Sequence, residues 1–111
     1  LPGLSYQIKT LRNSSGKDVR GVYLVISDWR AWKPTSLPFY MMKLSALWET
    51  PSPFSKATEA QAGLFNKHVG SSWWWDALLS KGGKINPSLY LAEWEKDSLR
   101  FRELVRPYLL Y

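Results

Sequence analysis

The chain has 111 residues, of which 45% are apolar and 22% charged, with a net charge of +6; this is the size of one domain and too apolar a composition for a disordered chain. It has no Cys and a single His, His68, which excludes disulfides, thiolate metal sites and any multi-His site within one chain. No apolar run approaches the roughly 20 residues that a membrane-spanning helix needs, and the lack of Cys suits a reducing, intracellular compartment.

Residues 5–12, SYQIKTLR, alternate ring or branched side chains with polar ones, and residues 19–27, VRGVYLVIS, are rich in β-branched and aromatic types. The turn cluster NSSGKD lies between them, so the pattern predicts a β-hairpin over about 5–27. Its second strand is the more apolar one and is expected to be buried on both faces. In DWRAWKPT, residues 28–35, Asp28 can cap a short turn that sets Trp29 and Trp32 three apart. A helix follows from Ser36, with Pro38 near its first turn and Pro51 beyond its end; Tyr40, Met41, Leu44, Leu47 and Trp48 form its expected apolar stripe.

Ser55 or Thr58 is expected to cap the next helix, which runs to about His68 and stops at Gly70, with Ala57, Ala60, Leu64 and Phe65 as its stripe. Ser71 or Ser72 then starts a helix through WWWDALLSK. A helix turns about 100° per residue, so three consecutive Trp cannot share one face. Trp75 is expected in the core with Leu78 and Leu79, Trp74 at its edge, and Trp73 turned away onto another element or a partner. Asn86 and Pro87 open the last helix, in which Tyr90, Leu91, Trp94, Phe101, Leu104 and Val105 gather on one face. The tail YLLY, residues 108–111, is apolar enough to be expected to dock. The order predicts an α+β, mainly helical single domain, 1–111, with an N-terminal β-hairpin packed against about four helices over about 36–106.

The chemistry-bearing candidates are few. Seven Trp, six Tyr and four Phe make Trp29, Trp32, Trp73 and Trp74 candidates for binding a protein partner, because Trp is enriched among binding hot spots. Residues 1–48 hold seven basic side chains against two acidic ones. Lys9, Arg12, Lys17, Arg20, Arg30 and Lys33 among them are candidates for nucleic-acid or anion binding, interleaved as they are with rings. Residues 80–84, SKGGK, lack the spacing of a phosphate loop and follow a helix where such a loop follows a strand. Glu93 and Glu95, two apart on a helix, cannot easily share a metal, and His68 has no evident catalytic partners. Asn13-Ser14-Ser15 fits a glycosylation sequon but reads as turn chemistry. No catalytic residue, cofactor or metal is expected.

Three functions compete on this basis. The first is a non-catalytic binding or assembly module, such as a viral accessory or structural protein or a subunit of a larger complex, docking on a protein partner or on itself through Trp-rich surface. The second is a nucleic-acid-binding domain using the basic N-terminal half. The third is a small hydrolase or nuclease. No helix joins a Lys/Arg-rich face to a strongly apolar one, so peripheral membrane contact is not expected.

Overall fold

The computed structural model describes residues 1–109. The chain is α+β and mainly helical, an antiparallel hairpin followed by four helices: β1 (Leu4–Arg12), β2 (Asp18–Ile26), α1 (Ser36–Trp48), α2 (Glu59–Val69), α3 (Trp73–Lys81) and α4 (Pro87–Val105). Short 3-10 turns lie at Pro53–Lys56, Gly82–Lys84 and Arg106–Tyr108. The chain divides into two compact units, Leu1–Leu37 and the residues from Pro38 onward. Among the described residues no helix is long and apolar enough to cross a membrane.

In the first unit β1 and β2 pair without interruption from Leu4 opposite Ile26 to Arg12 opposite Asp18. Asn13 builds the connecting turn: its Oδ1 accepts the Ser15 and Lys17 amides at 3.1 and 2.9 Å and the Ser15 hydroxyl at 3.0 Å. Gly16 supplies the left-handed residue at φ 76°. Asn13 thus acts in the turn, as its sequence context suggests. Gly3 closes the other end, where its carbonyl accepts the Ser27 and Asp28 amides. The expected two-sided burial of β2 is not found: along it only Leu24 and Val25 are half-buried and the rest is exposed. A run of apolar residues predicts burial only where a layer covers each face, and the hairpin itself supplies none.

The second unit is built around α3. Trp74, Ala77 and Leu78 are buried there, together with Ile85 and Tyr90, and Phe39, Met42, Phe54, Phe65, Val69 and Trp94 pack around them. The phase of α3 therefore differs from the expected one. Trp74 and Leu78, four apart, point at the centre, whereas Leu79 is exposed. Trp75 is also buried, but against Phe54 and Phe65, at ring separations of 6.0 and 4.9 Å. In α1 the buried side follows Phe39, Met42 and Ala46, while Met41, Leu44, Leu47 and Trp48 are exposed. In α4 the stripe is packed through Tyr90, Leu91 and Trp94, but Phe101 and Leu104 are exposed. Of the apolar tail, Tyr108 and Leu109 are exposed, and residues 110 and 111, on which the docking expectation also falls, lie outside the described residues.

Local chemistry sets the helix ends. Thr58 and Gln61 form a reciprocal capping box at the start of α2, and Gly70 ends it in the left-handed conformation at φ 79°. Such a cap contributes about 1 kcal/mol. Asn86 accepts the Ser88 amide ahead of α4, with Pro87 in the first turn. Gly83 allows a close approach rather than a loose turn: a Cβ on it would stand 2.9 Å from the Leu47 Cα.

Candidate functional site

One face of the hairpin sets polar, charged and aromatic side chains around an open groove. Directly opposed residues of an antiparallel pair share a face, so Gln7, Lys9 and Leu11 of β1 stand beside Tyr23, Gly21 and Val19 of β2. Together with Arg12, Asn13 and Val22 most of these residues line an open groove of about 380 Å³. The Lys9 ammonium lies over the Tyr23 ring, 3.9 Å from its centroid. Arg12 pairs with Asp18 at 3.4 Å across the strand ends. Arg20 is opposite Thr10, on the other face from Lys9, and the Lys17 amide belongs to the turn. The sheet thus distributes the expected basic cluster over both faces and the turn, and gathers Lys9 and Arg12 at one groove.

The segment after β2 is a turn held by Asp28, whose Oδ1 accepts the Arg30 amide at 2.9 Å. Its carbonyl accepts the Trp32 amide at 3.1 Å. Trp29 is 73% exposed and has the Arg30 guanidinium 5.2 Å from its ring, while Trp32 is half-buried. Lys33 is exposed and engaged in an interaction of its own.

In the helical unit, Trp74 is fully buried and has no surface to offer a partner. Its ring meets Phe39 and Tyr90 edge-on at 4.9 and 5.1 Å, and its indole N–H donates to the Met42 sulfur at 3.0 Å. Trp73 leaves the α3 stripe as expected and settles on another element: its ring lies 4.4 Å from Tyr90 and 6.0 Å from Trp94 of α4. It remains 44% exposed.

The carboxylates are dispersed. Glu49 pairs with Lys56, Glu93 with Lys96 and Glu103 with Arg106. Among the described residues no charged side chain is buried, and no group of three or more His, Asp or Glu could hold a metal ion. His68 bonds through Nδ1 to the Leu64 carbonyl at 2.8 Å, one turn back in α2.

The family described as Exo-beta-N-acetylmuramidase NamZ, C-terminal, matches residues 3–111 of this chain. The chain belongs to that family. Among curated proteins and solved structures nothing matches it. Membership in the NamZ family overturns the expectation of an assembly module docking on proteins, viral or otherwise, and that of a nucleic-acid-binding domain. Each error has its own physical reason. A basic surface set with rings attracts any anionic partner and does not choose among them, and much of the Trp content is core.

Proposed function

We propose that the chain is part of an enzyme that removes β-linked N-acetylmuramic acid from the ends of cell-wall glycan strands, and that its share in the work is to hold the glycan. The family match over nearly the whole chain carries this reading. The charge supports it. N-acetylmuramic acid bears a lactyl carboxylate, so its glycans are anionic, and this chain has a net charge of +6 with the excess in its N-terminal half. The carboxylates favour a role in holding substrate. Glycoside hydrolysis uses a pair of carboxyl groups flanking the scissile bond, about 5–9.5 Å apart, one of them kept protonated by an apolar setting. The described acidic side chains are exposed, and several are committed to ion pairs.

The test is product analysis with the intact enzyme that carries this domain, on glycan fragments ending in N-acetylmuramic acid or in N-acetylglucosamine. Free N-acetylmuramic acid is expected from the first set alone. Internal cleavage to larger fragments, or release of no sugar, overturns the reading.

A further inference from the structure

We infer that the depression over Gly21, between Lys9 and Tyr23 on one face of the hairpin, is a subsite for a carboxylate-bearing sugar ring. The inference rests on the muramidase reading for the identity of the glycan and on the hairpin for everything else.

Gly21 is the starting point. It lies in the middle of β2, where glycine weakens a strand, and nothing in the backbone asks for it. The pairing runs unbroken through Lys9 opposite Gly21, so there is no bulge. Its φ is not left-handed, unlike that of Gly3 or Gly16. A Cβ there would meet nothing within 4 Å, so no close packing demands it either. What the missing side chain does create is space: Gly21 lines the open groove of about 380 Å³.

The walls suit a sugar acid. Leu11 and Val19, opposite one another, provide apolar contact for the C–H side of a pyranose. Tyr23 adds a ring that is 48% exposed, with a hydroxyl that can donate or accept. Lys9 sits over that ring, and its ammonium has three donors to offer a carboxylate. Arg12 at the groove's end already faces Asp18, so discrimination between a charged and a neutral sugar falls to Lys9. The occupant that matches this combination is a glycan end presenting the lactyl carboxylate of N-acetylmuramic acid.

The probes are the disaccharide of N-acetylmuramic acid and N-acetylglucosamine, as the free acid and as its lactyl methyl ester. Binding to the 111-residue chain is followed by NMR at the Gly21 amide. The wild type is expected to bind the acid about tenfold more tightly than the ester, the effect of one charge-assisted hydrogen bond. Lys9→Ala removes that preference, Lys9→Arg keeps it, and Gly21→Leu weakens both probes about tenfold or more by filling the depression, with far-UV circular dichroism unchanged in each. Wild type that binds neither probe, Lys9→Ala that still prefers the acid, or Gly21→Leu that binds as wild type does overturns the subsite. Each of these leaves the product analysis of the intact enzyme as a separate measurement, and that analysis alone decides the muramidase reading.

Discussion

Trp74→Ala is expected to destabilise the helical unit by about 3–5 kcal/mol, the cost of emptying a fully buried aromatic site. The ring has no solvent exposure and meets Phe39, Tyr90 and Trp94, with centroids 4.9, 5.1 and 6.3 Å away. Its removal takes away dispersion contacts, edge-on ring pairs and a partner for the Met42 sulfur together. A domain of this size is stable by only about 5–15 kcal/mol, so the variant should show a much lower midpoint in urea, followed at a helix-sensitive wavelength. Trp73→Ala is the comparison. The same residue type is lost one position away, but from a half-exposed site beside Tyr90, and the expected cost is about half as large or less. Equal midpoints for the two variants would show that the core is not centred on Trp74.

Gly3→Ala is expected to open the base of the hairpin. Gly3 has φ 76°, and a Cβ there would fall 2.3 Å from the Asp28 carbonyl oxygen and 2.7 Å from the Trp32 amide nitrogen. The left-handed backbone alone costs an alanine about 1–2 kcal/mol. The collision is with backbone, so the turn at residues 28–32 must move, and the total is expected to reach about 2–4 kcal/mol. Gly16 isolates the two effects, since it has the same φ of 76° but open space around it. Gly16→Ala should show only the conformational part. Hydrogen exchange at the Ser27 and Asp28 amides, both bonded to the Gly3 carbonyl, reads the difference. Unchanged protection of these amides in Gly3→Ala would refute the account.

Where a residue's own chemistry determines structure, the sequence was informative. Asn13 and Gly16 mark the hairpin turn, Thr58 and Gly70 the limits of α2, and Asn86 with Pro87 the start of α4. Which face of a helix is buried was harder to read, because apolar residues occur in too many directions. In α1, SLPFYMMKLSALW, nearly every angle holds a large apolar side chain, and the buried position proves to be the small Ala46. Helices approach where side chains are small, and size patterns of that kind depend on the neighbouring element. The same holds for Ala77 in α3 and for the Trp74–Leu78 phase, which differs by one residue from the phase of Trp75 and Leu79. The groove was half visible. Lys9 and Arg12 stood out by charge, whereas Gly21 contributes by having no side chain, which no search for reactive groups detects. The family was not read from any short motif in the sequence; it came from the match over residues 3–111.

The unequal depth of the tryptophans divides the chain's ultraviolet emission between two kinds of reporter. Trp29 in the first unit and Trp48 at the end of α1 stand in water, while Trp74 and Trp75 are enclosed. A dissolved quencher such as iodide reaches the outer pair and is barred from the inner one. Being an anion, it is also drawn to Trp29, whose ring has the Arg30 guanidinium beside it. The quenchable light therefore comes from exposed rings of both units, Trp29 beside the hairpin and Trp48 on α1, and the light that survives quenching follows the helical core, so a single unlabelled sample separates surface from core as conditions change.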